Sequence, residues 1–345
     1  MAEPLLEVKD LRIHFFTDEG VVKAVDGVDL TIERGKTLCL VGESGCGKSV
    51  TSRAFLKIIR SPGKIVGGQM LYHKQKADGT TEIIDIAQLD AKGKAIRDIR
   101  GKEISMIFQE PMTSLSVMHT VGNQIMEVIL LHEDVSKKEA RNRTIELLRQ
   151  VEIPKPERIV DEYAFRLSGG MRQRAMIAMA LACNPTLLIA DEPTTALDVT
   201  TQAQILKLLR SLQAQYGMAV LFITHDLGVV AEIADEVAVM YLGRIVEQSH
   251  VDAIFNDPKH PYTQALLRSI PKIAAERQQL DPIEGMVPSP FRRPTGCPFH
   301  PRCKQRMAHC STIEPGLTQL SDDHRVRCLL YESQYTPEAE VVTHG

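Results

Sequence analysis

Residues 36–49, reading KTLCLVGESGCGKS, constrain this chain more than any other stretch: a short apolar run stops at glycine, and a lysine-serine pair opens the next segment. The pattern G-x-x-x-x-G-K-[ST] is met by Gly42, Gly47, Lys48 and Ser49, with Glu43, Ser44, Gly45 and Cys46 between them and Val50 just after. Glycines let backbone N–H groups face an anion with no Cβ in the way, and a helix starting at Lys48 would add its positive N-terminal end. The lysine offers a mobile charge for β- and γ-phosphates, and the serine hydroxyl is a hard oxygen ligand for Mg²⁺. The apolar run 38–41 reads as the buried parallel strand that feeds such a loop, which places the chain in the α/β class.

At 345 residues the chain exceeds one small core and suggests about two domains. Charged residues at 25% and hydrophobic ones at 43% are ordinary for a folded protein, which argues against disorder outside the tail. A net charge of −3 gives no support to a nucleic-acid binder working by phosphate neutralisation. The start, MAEPLLEVKD, lacks a basic segment followed by an apolar one, so no signal peptide is expected; no apolar run nears the ~20 residues that cross a bilayer. A membrane role would therefore be peripheral. Seven cysteines, three of them (Cys39, Cys46, Cys183) in core or phosphate-loop segments, suit a reducing compartment better than a disulfide framework.

Along the chain, 5–15 and 27–32 alternate and read as strands joined by a turn, and a helix is expected over 48–59. Phe15 and its neighbour Phe16 can stack on an adenine or pack in a core. Residues 73–102 carry no clear pattern, and 103–111 read as a strand ending in Gln109. A helical pattern spans 112–182, with a capping box at Ser136 and Glu139, an apolar stripe at Ile145, Leu148 and Val151, and interruptions at Pro154 and Pro156. Ser168, Gly169 and Gly170 open another helix, either an ordinary cap or a second anion-binding device. A buried strand at 187–190 ends in Asp191 and Glu192; one carboxylate can hold Mg²⁺ and the other can orient an attacking water. Then come an amphipathic helix over 200–215, a strand over 218–224 ending at His225, and a hairpin over 235–247 with Gly243 near its turn.

Six features in this order, GESGCGKS, Gln109, LSGGMRQR, LLIADE, Ala196-Leu197-Asp198 and His225, resemble the ATP-binding subunit of an ABC transporter over roughly residues 5–250. The resemblance implies a RecA-like phosphate-loop core with an antiparallel β subdomain and a helical subdomain inserted at about 112–182. It implies ATP and Mg²⁺ at the phosphate loop, with Ser49, Gln109 and Asp191 toward the metal, Glu192 as general base and His225 fastening γ-phosphate and base together. Phe15 would contact the adenine. Ser168, Gly169 and Gly170 would close over the ATP of a second, homologous ATPase packed head to tail, and Asp198 would cross that interface.

Beyond about residue 255, the segment HPYTQALLRSIP places Pro261 at the first position of a helix whose apolar side is Leu266, Leu267 and Ile270. This segment resembles the C-terminal region of oligopeptide and dipeptide importer ATPases. The division expected is an ATPase domain over 1–255 and a small loop-rich, metal-binding extension over 256–345. Cys297, Cys303, Cys310 and Cys328 suggest one soft-metal site, the alternative being unrelated thiols. By the resemblance they would ligate a [4Fe-4S] cluster rather than zinc. Partners implied are two membrane permease subunits, an extracytoplasmic solute-binding protein and the second ATPase, at the cytoplasmic face of a bacterial inner membrane. The solute would be di- or oligopeptides; nickel, glutathione or oligosaccharides are the alternative. One departure stands at Ser116-Val117-Met118, where relatives carry an Asn-Pro pair near the docking site of the membrane subunit.

Overall fold

Alternation in the first residues builds one long hairpin, β1 (Pro4–Thr17) and β2 (Gly20–Glu33), in the computed structural model, which describes residues 3–76, 78–109, 114–195, 197–269 and 283–335. The hairpin turn is tighter than the sequence suggested, because the apolar alternation of β2 continues back to Gly20; the Thr17 hydroxyl donates to the Gly20 carbonyl at 2.8 Å. β3 (Thr37–Val41) is buried at every residue, as a strand covered on both faces must be. It delivers the chain to α1 (Lys48–Phe55), which stops short of residue 59; Lys57 then turns left-handed with φ of 50°.

After α1 come β4 (Gly63–Gln75), for which no strand was expected, and, within the patternless stretch 73–102, β5 (Thr81–Asp85); they complete an antiparallel sheet in the order β2-β1-β4-β5. The signal of β5 is weak because this edge strand faces solvent and even Ile83 is largely exposed. Short α2 (Lys94–Ile99) leads into β6 (Ile104–Ile107).

The helical run contains α3 (Val121–His132), α4 (Lys137–Gln150), α5 (Pro156–Ile159) and α6 (Gly169–Ala180). Ser136 caps α4 by accepting the Glu139 N–H, and Leu148 and Val151 are fully buried beneath. Glu152 and Lys155, both left-handed, flank Pro154 and account for the break before α5. Residue 112, where the helical pattern was expected to begin, lies outside the described residues.

Next come β7 (Leu187–Asp191), α7 (Val199–Tyr216), β8 (Ala219–Ile223), α8 (Leu227–Ile233), β9 (Glu236–Tyr241) and β10 (Arg244–His250). β6, β7, β8, β3 and β9 run parallel, and their carboxyl ends deliver the site residues to one edge. The β9–β10 hairpin turns on Leu242 and Gly243, both left-handed, which suits a two-residue turn matched to strand twist. α9 (Val251–Asn256) and α10 (Pro261–Arg268) follow. Ile270, expected on the apolar side of α10, lies outside the described residues.

The last part is loop-rich. Its β11 (Thr318–Ser321) and β12 (His324–Val326) add to the main sheet through β10, giving the order β11-β12-β10-β9-β3-β8-β7-β6. Buried Glu247 of β10 anchors this join, accepting from the Lys259 and His260 N–H groups and meeting His324 Nε2 at 2.8 Å. Those bonds, with His324 first, hold the Glu247 pKa below the usual range although burial pushes it up.

Candidate functional site

The phosphate loop is held from three sides. Gly42 is packed so closely on the end of β9 that a Cβ would lie 2.2 Å from the Met240 carbonyl oxygen; at Gly47 it would lie 2.4 Å from that of Ala24. Both glycines have positive φ, so the curve of the loop requires them. The Gly243 N–H donates to the Cys46 carbonyl at 2.8 Å, tying the loop to the β9–β10 turn. Cys46 is buried, and burial raises its thiol pKa, which leaves it a packing residue. Lys48, also buried, donates to the carbonyls of Gly42 at 2.7 Å and Glu43 at 3.1 Å. Its ammonium thus lies inside the curve that a phosphate would enter.

The second strand end brings the acids. Ser49 Oγ donates to Asp191 Oδ1 at 2.9 Å, while Asp191 Oδ2 is buried with no hydrogen-bond partner among the described residues. Burial pushes the Asp191 pKa up, against the Ser49 bond that lowers it. A carboxylate oxygen left unpaired beside a serine hydroxyl is what a Mg²⁺ site needs, so these residues fit the ion that the loop chemistry implies. Glu192, next in the chain, is left-handed with φ of 49°, a conformation a non-glycine residue adopts only where its surroundings enforce it. Its Oε2 accepts from Gln109 Nε2 and from Thr195 Oγ1, both at 3.0 Å, and its Oε1 lies 3.4 Å from His225 Nδ1. Ser44, Gly45, Lys48, Ser49, Gln109 and Glu192 line one open cleft. Thr195 is the group that sequence reading missed; nothing in its spacing marked it.

Not every expected residue enters this cleft. Phe15 is half-buried against the Gly63 backbone and Ile59, in the core of the antiparallel sheet, and does not line the cleft. Ser168 caps α6, accepting the Met171 N–H at 3.3 Å, and stands exposed with Gly169 away from the cleft lining. Asp198 caps α7, accepting from the Thr201 N–H at 3.0 Å and from its hydroxyl at 2.7 Å. Ala196 lies outside the described residues. The departure at Ser116-Val117-Met118 forms an ordered loop, since buried Gln124 accepts the Ser116 N–H at 2.7 Å and donates back to its carbonyl. Val117 and Met118 are exposed.

The expectation of a metal-binding extension does not find support. Among the described residues, no group of three or more His, Cys, Asp or Glu side chains is arranged to hold a metal ion. Cys297, Cys310 and Cys328 are buried, and Cys303 is partly so. Burial, with a smaller contribution from the neighbouring cysteines, pushes the Cys297 thiol up to about 11 and the Cys328 thiol up to about 12, so the cysteines lie near one another. Cys310 Sγ accepts the Met307 N–H at 3.4 Å.

Comparison with known proteins places these observations. Residues 25–195 match the family described as ABC transporter, and residues 246–310 match the oligopeptide/dipeptide transporter C-terminal region. The oligopeptide transport ATP-binding protein AppD of Bacillus subtilis is 50% identical over 331 residues, covering 96% of this chain and 98% of that protein. The dipeptide transport ATP-binding protein DppD of Haemophilus influenzae is 48% identical over 324 residues, covering 94% of each. Among solved structures, the ATP-binding cassette MJ0796, dimeric and bound to ADP and Pi after hydrolysis, matches with a TM-score of 0.60 and 26% identity. The match covers 71% of this chain and 98% of that one. With cassette and C-terminal region both inside these likenesses, the chain belongs to the ATP-binding subunits of the oligopeptide/dipeptide ABC transporter family, and it is an ABC ATPase.

Proposed function

We propose that this subunit hydrolyses ATP to power import of di- or oligopeptides across a cytoplasmic membrane, working as half of a head-to-tail ATPase pair. Relatives of matching length that carry peptide-transport names support the substrate class. The observation that carries the chemistry is Glu192, fixed in a strained backbone and held by Gln109 and Thr195 at the mouth of the phosphate loop. In this reading the N–H groups around Gly45 and Gly47 receive the phosphates, and Lys48 leaves its carbonyls to neutralise them. Ser49, Asp191 and Gln109 would hold Mg²⁺, which supplies charge neutralisation at the β- and γ-phosphates when bound. Glu192 orients the attacking water and takes its proton, while His225 keeps Glu192 and the γ-phosphate in one geometry.

Ser168, Gly169, Gly170 and Asp198 belong to the partner's nucleotide. Closure of two half-sites around ATP, and its release on hydrolysis, shifts the pair between two arrangements that a permease can follow. Two permease subunits, a second ATPase and a solute-binding protein complete the assembly, with this subunit peripheral at the cytoplasmic face. Among the described residues no helix is long and apolar enough to cross a membrane, which agrees with that placement. The division into an ATPase domain over 1–255 and an extension over 256–345 is part of the same reading. So is a [4Fe-4S] cluster, with zinc less favoured, on the four cysteines; their mutual proximity supports it.

Glu192→Gln tests the central claim. It should retain MgATP binding within about twofold and lose roughly 100-fold or more of turnover in the assembled transporter. Unchanged turnover would sink the assignment.

A further inference from the structure

A carboxylate inside a loop that must receive a polyanion is a liability unless something neutralises it. Glu43 follows the first glycine of the phosphate loop, and its side chain is three-quarters buried. Its partner comes from far along the chain. Arg302 Nη1 and Nη2 donate to the two Glu43 oxygens at 2.6 and 3.0 Å, across 259 positions of sequence. The Arg302 side chain is only 4% exposed, so the pair is largely out of water and its two parallel bonds fix the carboxylate's plane.

Arg302 itself is well placed. Its guanidinium sits 6.0 Å from the centre of the Tyr241 ring, and its Nε donates to the Glu284 carbonyl at 3.2 Å. Tyr241, Tyr262 and Phe299 pack together, with Phe299 edge-on 5.3 Å from each tyrosine. Tyr262 accepts the Glu43 N–H on its hydroxyl at 2.9 Å. The same residue is thereby held by backbone and side chain, from α10 and from the cysteine-bearing loop. Meanwhile its carbonyl takes the Lys48 ammonium.

We propose that Arg302 is a positioning residue of the nucleotide site, through which the C-terminal extension sets the charge and shape of the phosphate loop. The proposal rests on the reading of this loop as the ATP site. With Arg302 in place, the Glu43 carboxylate is neutralised and turned away from the incoming triphosphate. Without it, an uncompensated, largely desolvated negative charge sits in the phosphate loop, and ATP binding weakens while the groups around Glu192 stay as they are. The extension is then a working part of the ATPase site.

Charge reversal of effect distinguishes this from mere scaffolding. In the assembled full-length transporter, Arg302→Gln should raise the MgATP KM roughly tenfold with kcat within about twofold. Glu43→Gln alone should lower the KM by about threefold, since it leaves the Arg302 charge free to attract phosphate. The double variant should return to within about twofold of wild type. Wild-type hydrolysis in the same assay reads the ATPase assignment separately. An unchanged KM for Arg302→Gln overturns the proposal. So does a double variant no better than Arg302→Gln, or a Glu43→Gln that weakens ATP as Arg302→Gln does. Should Arg302→Gln fail to fold, the sign of the Glu43→Gln effect decides alone.

Discussion

At Gly47 an added Cβ would lie 2.4 Å from the Ala24 carbonyl oxygen, whereas at Gly169 it would meet nothing within 4 Å among the described residues. Both glycines stand at the start of a helix, α1 or α6, and both lie in motifs that receive phosphate in the proposed mechanism. At Gly47 the folded chain itself demands glycine, through positive φ and a backbone neighbour. At Gly169 the described residues impose no such demand. In the proposed pair, a partner subunit's triphosphate is the occupant of that space. One helix start is thus finished within the subunit, and the other is, in the proposed pair, half of a site.

Substitution at the two glycines can break this contrast. Gly47→Ala forces a left-handed non-glycine residue against a carbonyl, so the loop must distort; MgATP affinity should fall on the order of 1000-fold by equilibrium titration of the subunit alone. Gly169→Asp should behave oppositely in the isolated subunit. An acidic residue in the first turn of α6 suits the helix dipole, so the melting temperature should hold or rise slightly and MgATP binding stay within about twofold. In the assembled transporter the same carboxylate would face a triphosphate, and hydrolysis should fall roughly 100-fold. If Gly169→Asp hydrolyses normally, the exposed cap is only a cap.

The same contrast explains what could be read in advance. The phosphate loop, the buried strands β3, β7 and β8, and the order of the acids were legible because short-range chemistry dictates them: glycine curvature, continuous apolar runs, carboxylates at strand ends. β5 was not, since a solvent-facing edge strand leaves little apolar pattern. Thr195 escaped because one hydroxyl near a carboxylate has no period or spacing to betray it. Arg302 escaped because its partner, Glu43, lies 259 residues away. The cysteines show the reverse: their spacing suggested a metal, and among the described residues no group of three or more His, Cys, Asp or Glu side chains is arranged to hold one.

Acid sharpens the comparison further, because only one of the two helix starts leans on a titrating group. The hydroxyl of Ser168 caps α6 at any pH, but Tyr262, which holds the phosphate loop through the Glu43 N–H, sits on α10, whose cap is His260. His260 Nδ1 accepts the Tyr262 N–H at 3.0 Å, which requires that nitrogen unprotonated. Burial lowers the His260 pKa from 6.5 to about 4, against the nearby Glu247 carboxylate, which raises it. Below pH 6.5 the unfolded chain takes up a proton that the folded one refuses. Stability is therefore full above 6.5 and declines as pH falls toward 4, by up to about 3 kcal/mol from this residue. Glu247, faced by His324 and held low, adds loss below about 4.5. His260→Asn keeps a capping oxygen without the titration, so its melting temperature should vary less between pH 7.5 and 5 than that of wild type. Over the same interval MgATP binding by wild type should weaken only about twofold, through the Tyr262 contact. An identical pH slope in wild type and His260→Asn would remove the histidine from this account and leave the phosphate loop's support independent of the α10 cap.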